Sequence, residues 1–345
     1  MLEPPGLLPE TIAACLQRAY GVEPVEIAFL PLGADVQSAV FRVAAAGGLA
    51  YFLKVRWGTF DEMSVALPGY LASQGMRQII PPLQTRRGML WAKMGGGRAV
   101  LYRWVEGHDG FAAAFSPAQW AELGAALRKL HEISLPPAMA ARVSRETYAP
   151  QRRNALRRSM SRLGEAVDDP AARRLATFLE ARSDEVAFLV ERAEALTREL
   201  LARPRPPVLC HSDVHAANIL VGPDGSLHIV DWDEPVYAPK ERDLMFPGGA
   251  QGFLGYGPEE EEALFFRGYG GVRVDAVALA YYRYERIVAD LSLFCEQLLF
   301  STEGGTDRAQ ALGWAIANFA PGGTLERARA ADQGSALAWR KPGQA

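Results

Sequence analysis

"HSDVHAANILVGPDGSLHIVDWD", residues 211–233, is the stretch whose reading decides the fold. It follows the apolar "VLC" and divides into a polar loop, a strand "NILV", a turn "GPDG" and a second strand "SLHIVDW". With Asp224 and Gly225 as the two central residues of a primed hairpin turn, paired positions sum to 449. Asn218 and Asp231 satisfy that sum, so they are predicted to face each other with Cα atoms about 4.5–5.5 Å apart. An amide oxygen and a carboxylate held that close suit a hard cation such as Mg²⁺. Asp213 lies just before the pair on the loop, where its carboxylate can accept a proton from an incoming hydroxyl. One acid is then tied to metal and the other left as a base.

Working outward, the chain before this stretch changes character once. "TIAACLQRAY" (11–20) reads as a helix and "PVEIAFLPLG" (24–33) as a strand. "AVFRVA" and "LAYFLKVR" alternate around "AAGG", and two more strands flank the "GGG" of 95–97. From Ser116 the pattern is helical: Ser116 as N-cap, Pro117 at the first helical position, Gln119 completing a capping box, then Trp120, Leu123, Leu127 and Leu130 on one face. Residues 151–203 continue as helices, the last carrying Val186, Leu189, Val190, Ala193, Leu196 and Leu200 as its stripe until "RPRPP" ends it. Helices return at 258–270, 275–300 and 307–319, and an Ala/Arg-rich tail with a frayed "RKPGQA" end follows. The expected fold class is α+β, with a small antiparallel-sheet N-terminal lobe (1–103) and a large, mostly helical C-terminal lobe (104–345). The catalytic loop (205–245) belongs to the second lobe, and the hinge falls at "LYRWVEG".

Composition narrows the function. The 345 residues carry 37 Lys and Arg against 40 Asp and Glu, a formal charge of −3, which gives no electrostatic reason to expect nucleic acid. It is compatible with a cationic small-molecule substrate. Hydrophobic residues at 49% and charged residues at 22% are globular composition. Cys15, Cys210 and Cys295 sit among apolar neighbours and read as core thiols of a reducing compartment. No apolar run reaches the ~18 residues of a membrane span, and prolines interrupt the opening "MLEPPGLLPE". The expectation is a cytoplasmic protein, monomeric or weakly dimeric, without membrane association.

The polar residues of 211–218 and 231–233 form H-x-D-x-x-x-x-N followed by D-W-D, which resembles the catalytic loop and metal site of the aminoglycoside phosphotransferase family, relatives of the protein kinases. His211, Asp213 and Asn218 match the first motif, and Asp231 stands where kinases carry the Asp of D-F-G. "HSDVHAANILV", "IVDWDEP" and "APKERDLMF", with "PLGADVQSAVFRV" and "YFLKVR", are most similar to the spectinomycin phosphotransferase branch. Ser212 and Ala217 depart from the glycine frequent in the wider family. The resemblance implies a bilobal protein-kinase-like fold and the cofactors ATP and Mg²⁺. Lys54, one of five lysines, would hold the nucleotide phosphates. Glu62 is then its candidate acidic partner, with Asp61 competing. "PLGADVQSAVF" would be the loop over the phosphates, with the Arg103 carbonyl and Val105 N–H against adenine. Asp243 would steady the catalytic loop, and Asp233 would extend the metal shell or meet a substrate amine.

Other residues read more plainly. His108, His131 and His228 are ordinary, and His215 packs the loop. "PEEEEAL" is a solvated helix start, its carboxylates complementing the dipole. In "YYRYERIVAD", Tyr281, Tyr284 and Val288 form a core stripe, while Arg283, Glu285 and Asp290 are candidates for the cleft. The implied function is ATP-dependent phosphorylation of a hydroxyl on a small amine-bearing molecule. Spectinomycin or another aminoglycoside comes first, which would make it an antibiotic-resistance enzyme; a macrolide, homoserine or an amino sugar is the alternative acceptor. Two readings compete. A metallohydrolase would use His211, Asp213, His215, Asp231 and Asp233 as a dinuclear site, and a non-catalytic nucleotide-binding relative would lack a motif residue. A protein kinase is disfavoured by the absence of D-F-G and A-P-E.

Overall fold

Alternation builds the N-terminal sheet. In strands β1 (Pro24–Leu30), β2 (Ser38–Ala45), β3 (Ala50–Arg56), β4 (Ala92–Met94) and β5 (Gly97–Arg103), every second residue is apolar and turns to one face. The computed structural model describes residues 4–32, 37–302 and 304–334. The five strands pair antiparallel in the order β1-β2-β3-β5-β4. Phe41, Val43, Leu53, Val55, Ala99 and Leu101 form one core with Ile12, Cys15 and Leu16 of helix α1 (Pro9–Tyr20). Burial of each Val, Leu, Ile or Phe side chain among these contributes about 1.5–3 kcal/mol. Lys54 lies between Leu53 and Val55, both 0% exposed, so the pleat sends its side chain to the opposite face. Of the expected phosphate loop, residues 33–36 lie outside the described residues, as do 335–345 at the end of the tail.

The described residues divide into two compact units, one drawn from 1–108 and 218–234 and the other from 109–217 and 235–345. The hairpin of 218–234, expected with the C-terminal lobe, therefore clusters with the N-terminal sheet. The physical reason is hydrogen bonding: the Ile229 N–H donates to the Gln78 carbonyl at 2.7 Å, and Ile79 bridges Ile229 in parallel.

In the second unit, β6 (Val208–Cys210) pairs antiparallel with Val236–Ala238, which also pairs in parallel with Ser144–Arg145. Helix α3 (Pro117–Glu132) starts with the capping box: the Gln119 N–H donates to Ser116 Oγ, and the Ser116 N–H to Gln119 Oε1. It lies against α7 (Pro258–Tyr269), where Gly124 and Gly268 let the two backbones touch. A Cβ on either would collide with a carbonyl oxygen of the other helix. Helices α4 (Gln151–Met160), α5 (Pro170–Glu180) and α6 (Ser183–Ala202) precede β6, and the expected stripe of α6 is buried in full. The long helix α8 (Ala276–Leu299) packs on α4, α5 and α6, and on α9 (Gly305–Ala317) and α10 (Thr324–Asp332). Helix α10 corrects the reading of the tail: Leu325, Ala328 and Ala331 form a buried i, i+3, i+6 stripe.

Three other expectations change. Glu261 and Glu262 in "PEEEEAL" are buried, Glu261 accepting from the Gly248 N–H and Glu262 from Arg283. Arg283 also donates to the Met245 and Pro247 carbonyls, and Glu285 accepts from buried Arg153, so both are interior ion-pair residues. All three cysteines are buried and free. Among the described residues, no helix is long and apolar enough to cross a membrane.

Candidate active site

The hairpin that carries Asn218 and Asp231 turns over three residues rather than two. Strands Ile219–Val221 and Leu227–Ile229, here β7 and β8, pair as Val221 with Leu227 and Ile219 with Ile229. Paired positions therefore sum to 448, and Asn218 faces Val230, whose N–H donates to the Asn218 carbonyl at 2.9 Å. Gly225 takes the left-handed conformation (φ 82°) that closes such a loop, and the Ser226 N–H donates to Asp224 Oδ1. The expected face-to-face pairing of Asn218 with Asp231 is thus displaced by one residue. Asp231 lies beyond the ladder with φ 64°, a left-handed conformation Asp adopts more readily than most residues. Trp232 is buried and donates Nε1–H to the Ile229 carbonyl, fixing the strand's end.

Within this unit Lys54 meets two acids from 177 and 179 residues away. Its Nζ lies 2.9 Å from Asp231 Oδ1 and 2.8 Å from Asp233 Oδ2. Arg56 also donates to Asp233 Oδ2, at 2.6 Å. Burial works to lower the Lys54 pKa, yet the Asp231 and Asp233 carboxylates outweigh it and hold the ammonium charged. Burial and then the Asp231 charge raise the Asp233 carboxyl, with Lys54 and Arg56 opposing. Glu62 is not the partner of Lys54: it is exposed and sits at the N-terminal boundary of α2 (Met63–Ser73), while Asp61 accepts from the Met63 N–H as that helix's local cap. Asn218 and Asp231 offer amide and carboxylate oxygens, a donor chemistry that fits a hard divalent cation. Arg103 is the last residue of β5 and exposed; Val105 lies two residues beyond and is half-buried.

Asp213 belongs to the other unit, on the loop leaving β6. Asp243, 0% exposed, anchors that loop by accepting the His211 N–H at 2.9 Å and the Ser212 N–H at 2.7 Å. These bonds hold Ser212 at φ 75°, a conformation glycine adopts without penalty. His131, read as ordinary, lies with Nε2 3.0 Å from Asp243 and Nδ1 2.7 Å from the Tyr269 hydroxyl. Burial raises the Asp243 carboxyl, but the His131 hydrogen bond and the neighbouring histidine charges bring it below its ordinary value. The Asp213 N–H donates to His211 Nδ1 at 3.2 Å.

The Asp213 carboxylate meets a residue the sequence reading did not single out. Arg286 Nη1 donates to Asp213 Oδ1 at 2.6 Å, and His215 Nε2 lies 3.4 Å from Oδ2. Arg286 Nε also reaches Asp290, one helical turn on. Burial opposes the charge on Asp213, but Arg286 foremost, then His215 and His211, hold the carboxyl well below the usual carboxylate range. The only sequence signal for Arg286 is its place in "YYRYERIVAD", on the half-buried side of a buried helix. The dinuclear-metal alternative is disfavoured because two of its acids are taken by cations: Asp213 pairs with Arg286, and Asp233 with both Lys54 and Arg56. Among the described residues, the one His/Cys/Asp/Glu cluster with ligand atoms close enough for a metal is His131, Cys210 and Asp243. There Asp243 is already engaged by two N–H groups and His131, and burial pushes the Cys210 thiol well above its ordinary value.

Comparison with known proteins agrees with this chemistry. The profile of the phosphotransferase enzyme family matches residues 70–269. A crystal structure of spectinomycin phosphotransferase in complex with ADP and spectinomycin is 31% identical, covering 95% of this chain and 100% of that one with a TM-score of 0.88. The AMP-bound complex of spectinomycin phosphotransferase is 30% identical, covering 93% and 98% with a TM-score of 0.82. An amicoumacin kinase bound to AMP-PNP and Ca²⁺, 14% identical with a TM-score of 0.58 over 95% and 94% of the chains, shares the fold. No curated protein sequence matches the chain.

Proposed function

Because this chain belongs to the phosphotransferase enzyme family and is a small-molecule phosphotransferase with a hydroxyl acceptor, we propose that it moves the γ-phosphate of ATP to a hydroxyl of spectinomycin or a closely related aminocyclitol. The observation that carries the nucleotide half is the 2.9 Å contact between Lys54 and Asp231. An ammonium has three N–H donors; Asp231 and Asp233 take two, and the third is left for a phosphate oxygen. Asn218 and Asp231 would hold Mg²⁺, which when bound neutralises charge on the phosphates. The main chain at Arg103 and Val105 takes the adenine edge.

Asp213 orients the acceptor hydroxyl. A carboxylate held below its usual range stays ionised at neutral pH and accepts the hydroxyl's hydrogen bond. It takes the proton as the new O–P bond forms and the bond to ADP breaks. The phosphoryl transition state is loose, so positioning and electrostatics supply most of the acceleration. Similarity to spectinomycin phosphotransferase over that enzyme's whole length supports the acceptor assignment. Phosphorylation would confer resistance on a cytoplasm that contains the enzyme.

The test is ADP release by the purified protein with ATP, Mg²⁺ and a panel of spectinomycin, other aminoglycosides, macrolides, homoserine and amino sugars. Spectinomycin-dependent release is expected, and D213N is expected to bind ATP normally while losing at least ~100-fold in kcat. Release with another acceptor and none with spectinomycin would reassign the substrate. Full turnover by D213N would remove Asp213 from the base role.

A further inference from the structure

The Asp213 carboxylate is held from two directions. Its backbone is fixed by Asp243 through the N–H groups of His211 and Ser212, and its side chain by Arg286 of α8. Arg286 does not reach from a mobile surface position. Glu285, Ile287, Val288 and Leu291 around it are buried, its guanidinium lies 5.9 Å from the Phe246 ring centroid, and Asp290 Oδ1 and Oδ2 lie 3.1 and 3.3 Å from its Nε. A planar guanidinium bound at separate nitrogens has little freedom to turn, which an ammonium on a flexible stem does not match.

We propose that Arg286 is the positioning residue for the base: it fixes the orientation of the Asp213 carboxylate, with Asp290 as the counter-anchor that fixes Arg286. The proposal deepens the phosphotransferase reading and rests on it for the consequence in turnover. The charged and titratable groups facing Asp213 are Arg286 and Asp290 from α8 and His211 and His215 from its own loop. Removing the guanidinium leaves Asp213 and Asp290 as neighbouring like charges, so loss of orientation comes with easier protonation of Asp213.

Two variants and two readouts test this. In protein labelled with ¹³Cγ-aspartate, the Asp213 resonance, assigned by its absence in D213N, is followed from pH 8 down to about 3.5. Wild type and R286K are expected to show no midpoint in that window, whereas R286Q shows one at or above the ordinary aspartate value of about 4. With spectinomycin as acceptor, kcat is expected to fall about 10- to 100-fold in both R286Q and R286K, and the KM for ATP to stay unchanged. A purely architectural role would leave the Asp213 titration in R286Q as in wild type, and that result overturns the proposal, as does wild-type kcat in R286K. If R286Q does not fold, kcat of R286K decides. Absence of spectinomycin turnover in wild type would retire the acceptor assignment and leave the Asp213 titration to decide on Arg286.

Discussion

Replacing Asp243 with asparagine puts the anchorage of the 211–213 loop to a quantitative test. The wild-type carboxylate is completely buried and engages the His211 N–H, the Ser212 N–H and His131. An asparagine keeps one acceptor oxygen but aims an NH₂ at a group that is itself a donor. With its oxygen in the Oδ2 place, asparagine keeps the bonds from the His211 N–H and His131 but without the charge, and its NH₂ opposes the Ser212 N–H. One bond is then lost and two are weakened by about 1 kcal/mol or more each. Each bond to a charged group contributes about 1.5–3 kcal/mol, so the expected cost is about 3–6 kcal/mol, a large share of a typical 5–15 kcal/mol. The assay is urea unfolding at pH 7, where the midpoint should fall with the slope unchanged. pH gives a second signature. The folded Asp243 pKa is depressed, so its stabilisation is fully present above the ordinary aspartate value and is lost as pH falls through the lower folded one. D243N should lack that acid-side loss. A destabilisation below about 1 kcal/mol, or an unchanged acid slope, would refute the anchoring argument.

K54M leaves the Asp231 and Asp233 carboxylates without their ammonium and should lower kcat/KM for ATP by about 10²–10³-fold in coupled ADP-release kinetics; near-normal kinetics would remove Lys54 from the nucleotide site. Glu261 is raised from its ordinary 4.5 to about 7, chiefly by burial, so its contribution is full below the ordinary value and is lost as pH rises through about 7. E261Q, which keeps an acceptor for the Gly248 N–H, should therefore remove up to about 3 kcal/mol of stability loss between pH 5 and 8 in denaturant titrations. S212G relieves a left-handed serine, and thermal unfolding should show a gain of about 1 kcal/mol. A drop in melting temperature would mean that the Ser212 side chain supplies more than its backbone strain costs.

Much of the outline was legible because it depends on local pattern. The alternation of β2, β3 and β5, the capping box at Ser116 and the stripe of α6 each lie within a window of twenty residues. What failed was set by single-residue geometry or by long-range partners. "GPDG" serves a two-residue or a three-residue turn equally well, and the choice moved the partner of Asn218 from Asp231 to Val230. The resemblance points to Glu62, beside the helix after β3, as the partner of Lys54, whereas the acids that reach it come from the far end of the hairpin. "PEEEEAL" carries no sign that Arg283 and the Gly248 amide wait for two of its glutamates. Arg286 was hidden for the same reason, since nothing near it in sequence names Asp213 as its partner.

The grouping of residues 218–234 with 1–108 has a consequence for biosynthesis. A ribosome that has just released residue 108 has not yet made the acids that neutralise Lys54, nor the Ile229 amide that Gln78 accepts. At about 5–20 residues per second, the nascent sheet waits on the order of 6–25 s for its last piece. Through that interval the Lys54 ammonium and the Gln78 carbonyl are hydrated rather than paired, so the N-terminal unit is completed late although most of it is translated first.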